Sequence, residues 1–400
     1  MCKWYEINIE PRDVLFFRGG KPMQASTIGE GAQWPSPSVF HQALLSTFHR
    51  KWPNAKSNHQ HFEKDKNKNS SFLYGDLQTV GVFPSIKNKT YFPMPADVQC
   101  KDKEGKKLCI LNPEKLDGKS DLPDPLKMGL FKPGEATKEK PNKWISEQAL
   151  LQYINGVVDE KENPSLFEIE HRPGIGINPE NGTTEDGKFY IAEYMRLHDG
   201  VSFKGFATGN ALTDYFNKKK KSEFIFGGQR GVAFLNGIRD DAKLPTFDKP
   251  SGTQIKWVLL TPAIFTGGWL PSWIDSKNGE ILGLKATKPE RHPRETRADW
   301  RARFIKEKIP GKLVAACIPK PVPISGWKAQ CGNKGPRPTR LCVPAGAVYY
   351  FETDNEEQTE KLLNFLNGKR KSDIAAEKGF GFGICGIWKK SKENNKENNS

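Results

Sequence analysis

The stretch Ala345–Gly368, AGAVYYFETDNEEQTEKLLNFLNG, decides how this chain folds. Its first part, Ala345 to Glu352, is rich in aromatic and small apolar residues and reads as a buried strand. Its second part reads as an amphipathic helix from about Asn355 to Asn367, with Asp354 as cap and Glu357 three residues on, a spacing that satisfies the free amides of a first turn. Leu362, Leu363, Phe365 and Leu366 form the inward stripe, and Gly368 stops the helix. The run FGFGICGIW, from Phe380 to Trp388, follows as a last strand. Further strands are expected upstream at Lys256–Phe265 and Lys312–Cys317. Strands in this order around a helix, with a strand last, fit a βαββαβ ferredoxin-like module.

Working outward, the N-terminal half offers a second copy with long insertions. Tyr5, Ile7 and Ile9 alternate as a strand does, and Val14 to Phe17 is a second apolar run. In WPSPSVFHQALLSTFHRKW, Ser36 caps a helix with Pro37 at its first position, and Phe40, Leu44 and Phe48 recur every four residues. Residues 53–71 form a polar loop and 99–143 an insertion mixing Lys, Asp, Pro and Gly, closed by a helix at 144–154. FEIEHRPGIGINPENGTTEDGKFYIAEYMRL carries a projecting β-hairpin at 170–197, because two strand-like arms flank a connection of Asn, Gly, Asp and Pro. EFIFGGQRGVAFL repeats the opening theme, a strand broken by glycines and an arginine. The expected fold is therefore α+β. It has a ferredoxin-like module at 251–389, a candidate second copy with insertions at 1–250, and a disordered tail at 390–400.

Among the 400 residues, 36% are apolar, which argues for a folded core. Lys and Arg exceed Asp and Glu by 62 to 47, a net charge of +15 that fits a polyanionic partner such as nucleic acid as well as it fits lysine-rich solvated loops. The seven cysteines include no Cys-x-x-Cys. Cys100 with Cys109 and Cys331 with Cys342 lack zinc-ribbon spacing, so reduced thiols in a cytoplasmic protein with neither metal nor cofactor are expected. No signal peptide opens the chain, and no apolar run approaches the ~20 residues that cross a membrane. In DVLFFRGGKPM, Asp13 to Met23, the glycine pair and Lys21 read as a phosphate cradle. A nucleotide P-loop is excluded, because Pro22 stands where that motif needs Ser or Thr.

Taken in order, EPRDVLFFRGGKPM with WPSPSVFHQALL, HRPGIGI before a hairpin, FGGQRG, ISGWKAQCGNKGPRPTRLCVPAGAVYYFE and the terminal KGFGFGICG resemble the third-subunit family of the Cmr effector. That effector is the type III-B CRISPR RNA-guided complex, and the family belongs to the RAMP superfamily of RNA-binding proteins. The resemblance runs from about residue 4 to residue 389. It implies two ferredoxin-like domains related to the RNA recognition motif, in a non-catalytic subunit that holds the 5′ repeat-derived tag of CRISPR RNA between the large polymerase-like subunit and the first backbone RAMP subunit.

Five candidate RNA-binding groups follow. Where the superfamily's glycine-rich loop falls, Lys378, Gly379, Gly381 and Phe382 would offer charge, main-chain donors and a stacking ring. Arg18, Gly19 and Lys21 would hold phosphate, with Ser36 and Ser38 adding donors at a helix start. The hairpin resembles the thumb with which RAMP proteins kink their guide, and Arg172, Gly174 and Ile175 would splay bases. Gly228 and Arg230 form a glycine-flanked cation. Lys334, Arg337 and Arg340 stand in a run of cations without an acid, which suits phosphate tracking. Each has a plainer reading as a turn, edge strand or solvated loop. The rival function is a metal-independent endoribonuclease with His41, or else His171, as its acid–base group.

Overall fold

The computed structural model describes every residue except 1–2, 21–27, 30, 32–33, 52–75, 106, 117, 119, 134–136, 161, 217–221, 246–249, 288–291, 294, 297–298, 301–304, 331–332, 337 and 390–400. The expected polar loop at 53–71, the tail, Lys21 and Arg337 thus lie outside the described residues. The described chain is mixed α/β, mostly strands with few helices.

The first sheet is built from β1 (Tyr5–Pro11), β2 (Gln78–Ile86), β3 (Lys89–Pro93), β4 (Trp144–Ser146), β7 (Val201–Thr208), β8 (Ser222–Ile225) and β9 (Val232–Asp240). Its order is β8-β9-β1-β7-β2-β3-β4. Helices α1 (Pro37–Lys51) and α3 (Asn210–Phe216) belong to this half, as does α2 (Glu147–Ile154). Between α2 and β7 stands the hairpin of β5 (Phe167–Ile177) and β6 (Thr184–Leu197), paired from Phe167↔Leu197 outward.

The second sheet comprises β10 (Gln254–Leu259), β11 (Glu280–Thr287), β12 (Ile305–Cys317), β13 (Val348–Glu352), β14 (Lys369–Arg370) and β15 (Phe382–Ile387), in the order β11-β12-β13-β10-β15-β14. Helix α4 spans Glu356–Leu366.

The two sheets share one pattern. In the first, β9-β1-β7-β2 is the order fourth, first, third, second; in the second, β15-β10-β13-β12 repeats it, with every pair antiparallel. In the first half α1 and α3 occupy the two crossover positions; in the second α4 occupies one, and β11 lies within the other.

Strand alternation assigns the cores. Tyr5, Ile7, Ile9 and Phe203 face α1 and α3, meeting Phe40, Leu44, Phe48, Leu212 and Tyr215. Val80 and Phe206 face the second sheet, packing with Tyr153, Val258, Tyr350, Phe382 and Ile384 in a core between the sheets. On the far face, Ile255, Trp257, Tyr349 and Phe351 meet Leu362, Leu363 and Leu366 of α4, each worth roughly 2 kcal/mol when buried.

Some sequence expectations are corrected in detail. The cap of α4 is Asn355, not Asp354: its extended backbone lets its side chain accept from Gln358 N at 3.0 Å, while Asp354 N donates to the Gln358 side chain at 3.1 Å. The expected helix at 144–154 is a strand followed by a helix that begins at Glu147, because Ser146 caps it through Ala149 N. The strand expected at Lys256–Phe265 ends at Leu259, and the one expected at Lys312 starts at Ile305.

One polar cluster is sealed between the halves. The fully buried Asp97 accepts from Tyr153 Oη at 2.6 Å and from Tyr350 Oη at 2.8 Å. Lys256 Nζ lies 3.8 Å from Asp97 and 3.4 Å from the centre of the Tyr153 ring. Burial pushes the Lys256 ammonium down to about 8, with Asp97 opposing the shift, and burial raises both tyrosines.

Candidate nucleic-acid interface

The residues that follow β1 organise the site. Leu15 exchanges backbone hydrogen bonds with Met195 of β6, and Gly228 N donates to Phe16 O at 2.8 Å. The segment Asp13–Arg18 is therefore laced between the hairpin on one side and the β8–β9 turn on the other. Val14 to Phe17 are buried, which is what their apolar run predicts; Arg18 emerges exposed at the end.

In the turn, Gly231 N donates to Gly228 O at 3.1 Å, and Gln229 and Arg230 both sit in the left-handed region at φ 52° and 55°. Each costs about 1 kcal/mol for a residue with a side chain, and the turn projects Arg230 into solvent. Arg18 and Arg230 each stand two residues beyond the Phe16–Gly228 bridge, and among the described residues neither makes an ion pair.

Arg172 has a different situation from the one its sequence context predicts. Its Nε donates to Glu170 at 2.6 Å, its guanidinium lies 3.6 Å from Asp13, and it covers the Tyr194 ring at 4.9 Å. Arg196 bridges the same acids at 3.2 Å and 2.5 Å. The two guanidiniums hold the Glu170 carboxyl below the usual range, and Asp13 is lowered chiefly by the Val14 amide and then by both arginines. Arg172 is one of the two cations of a neutral four-member cluster, with Arg196, Asp13 and Glu170, that fastens the hairpin to the segment after β1. A cavity of about 320 Å³ opens there, lined by Asp13, Phe16, Arg172, Tyr194, Gly228 and Gln229, among others.

Beyond Arg18, Gly20 lies so close to the backbone of Pro323 that a Cβ would fall 2.0 Å from its carbonyl oxygen. Pro323 belongs to a short strand pair in which Ile324 faces the exposed Arg340. The glycine pair after β1 thus brings Arg340, from the second half of the chain, to the same end of the molecule. Lys334 lies on the strand Asn333–Pro336, opposite Ala329.

Other expected residues are placed elsewhere. On the hairpin, Gly174 makes room for the Tyr190 ring, and Ile175 pairs with Phe189, both half exposed. Ser36 and Ser38 share a hydroxyl–hydroxyl bond of 2.9 Å at the start of α1.

The glycine-rich loop needs the largest correction. Gly379 and Gly381 have φ of 93° and 71°, and a Cβ on Gly379 would meet Thr79 O at 2.9 Å. The loop's amides are spent internally: Gly379 N on Ala376 O, Gly381 N on Pro262 O and Phe382 N on Thr261 Oγ1. Phe380 and Phe382 are buried, the latter completely, so neither offers a ring for stacking. This loop, with Lys378 before it, is a seam between the two halves; no contact places it with Arg18 and Arg230.

Sequence reading missed Asp13, Tyr194, Arg196 and Gln229. The signal for Arg196 was the hairpin register, which sets Glu168 opposite it and Glu170 diagonally across. Among the described residues no group of His, Cys, Asp or Glu is arranged to hold a metal ion, and no helix is long and apolar enough to cross a membrane.

A family model described as CRISPR-associated protein (Cas_Cmr3) matches residues 7–389. The chain therefore belongs to the CRISPR-associated Cmr3 family, and is a type III CRISPR effector subunit. It is similar at 14% identity to a chain of the type III-B Cmr-beta complex bound to cognate target RNA, covering 94% of this chain and 95% of that one with a TM-score of 0.47. It is similar at 11% identity to a chain of the Csm3–Csm4 subcomplex of a type III-A interference complex, covering 88% and 94% with a TM-score of 0.36. A chain of the Csm1–Csm4 cassette in complex with AMPPNP matches at 10% identity over 86% and 97%, TM-score 0.31. No curated protein matches the sequence.

Proposed function

We propose that this chain is a non-catalytic RNA-binding subunit of the type III-B Cmr complex. In this reading two ferredoxin-like units, 1–250 and 251–389, hold the 5′ repeat-derived tag of CRISPR RNA and dock between the large polymerase-like subunit and the first backbone RAMP subunit. The observation that carries it is the placement of the exposed Arg18 and Arg230, which make no ion pair among the described residues, two residues past each member of the Phe16–Gly228 backbone bridge. Unpaired guanidiniums give phosphate affinity without a pairing partner to displace, whereas Arg172 would first have to leave two carboxylates.

The endoribonuclease reading has less support. The His41 ring is 5% exposed and its Nδ1 lies 3.2 Å from Thr79 Oγ1, so an RNA phosphate has no access to it. His171 lies exposed on the hairpin beside the Glu170–Arg172 ion pair.

Filter binding of tagged and untagged CRISPR RNA across a salt series tests the proposal. Arg18→Gln with Arg230→Gln is expected to weaken binding of tagged RNA and to flatten the log–log salt slope by about 1.4. Unchanged affinity and slope would reject the site, and cleavage products from the wild-type chain would reject the non-catalytic assignment.

A further inference from the structure

A second cavity, of about 330 Å³, opens six residues back along β1 from the first, around Glu6, about 20 Å away at the rise of a strand. Phe92 and Phe206, both part of the core between the sheets, line it with Lys204, Arg239 and Lys243. Lys204 and Glu6 are both more than nine-tenths buried and their charges stand 3.6 Å apart, beyond hydrogen-bond reach. Among the described residues the Lys204 ammonium makes one hydrogen bond, to Asn88 O at 3.3 Å, although it carries three donors. Glu6 instead accepts from Arg239 at 2.8 Å. A buried ammonium with donors to spare, beside a cavity, is a costly arrangement unless an acceptor enters.

We propose that this cavity receives one acidic side chain of a partner polypeptide. Charge selects that occupant. Lys204, Arg239 and Lys243 face Glu6 and Glu147, leaving a single positive charge, which one carboxylate balances. A phosphate dianion would bring a second negative charge beside Glu6. An RNA strand would bring a phosphate charge at every nucleotide, more than the single positive charge here balances. Leu244 and Pro245 suit the methylenes of a glutamate while its carboxylate reaches Lys204. The site is separate from the proposed RNA contacts, so it stands or falls independently of them.

The test uses the full chain with its lysine side chains labelled at Nζ, followed by NMR, with Lys204→Arg to assign the Lys204 signal. Acetyl-Ala-Glu-Ala-amide should shift that signal saturably, and acetyl-Ala-Gln-Ala-amide should bind about tenfold more weakly. Arg239→Gln with Lys243→Gln, changes confined to exposed residues, should weaken the glutamate peptide about fivefold. Glu6→Gln should tighten it, because the competing carboxylate is gone. No shift, equal shifts with the glutamine peptide, equal competition by inorganic phosphate, or an unchanged rim variant each overturns the proposal.

Discussion

Breaking the sealed cluster between the halves tests what holds the two sheets together. Asp97 arrives from the first half, Lys256 and Tyr350 from the second, and all three are buried. At their 3.8 Å separation, with an effective dielectric of about 20, the Asp97–Lys256 attraction amounts to about 4 kcal/mol. Asp97→Ala leaves a buried ammonium and two unpaired tyrosine hydroxyls. Lys256→Met leaves a buried carboxylate held only by those hydroxyls. Either change alone is expected to cost about 3 to 5 kcal/mol. The double variant removes both charges, so its loss should fall short of the summed single losses by about 4 kcal/mol. Urea unfolding of the four proteins at pH 7 measures this. Single losses that simply add, within about 0.5 kcal/mol, would refute the coupling and with it the reading of this cluster as an ion pair.

The same lysine predicts a pH dependence. Below pH 8 Lys256 is protonated in both states; between about 8 and 10.5 the unfolded chain keeps a proton that the folded chain has released, so the group adds stability as pH rises. The stability gap between wild type and Lys256→Met should widen over that window, by up to about 3 kcal/mol, and a gap that narrows contradicts the burial argument. Gly20→Ala should cost about 1 to 3 kcal/mol in thermal unfolding, because its Cβ meets the Pro323 carbonyl and the turn must withdraw from the strand that carries Arg340's partner. Phe382→Ala should lose about 3 to 5 kcal/mol of stability while its folded fraction binds tagged RNA as wild type does; weaker RNA binding at unchanged stability would return Phe382 to the surface.

Much of the local structure was legible in the residues themselves. The stripe Leu362, Leu363, Leu366 recurs at the helical period, and Phe40, Leu44 and Phe48 do the same, so both helices and their buried faces could be read without coordinates. The alternation of β1 and the two arms of the hairpin follow from the period of a strand. These signals are local, because backbone geometry ties a side chain's direction to its neighbours within a turn or a pleat.

What the residues could not disclose is which surfaces meet across the chain. Glycines at 379 and 381 announce close approach, but not whether RNA or the protein's own chain approaches; here it is Thr79 at Gly379 and Ser372 at Gly381, and the loop's amides are consumed. Arg172 stands 159 positions from Asp13, so its sequence neighbours show the acid at Glu170 but not the second carboxylate. Arg18 and Arg230 are brought together by a backbone bridge between segments more than 200 residues apart. Periodicity therefore determined the elements and their inward faces. Only tertiary contact decided which cations stay free to meet a polyanion, since pairing depends on distance in space and the chain records distance along itself.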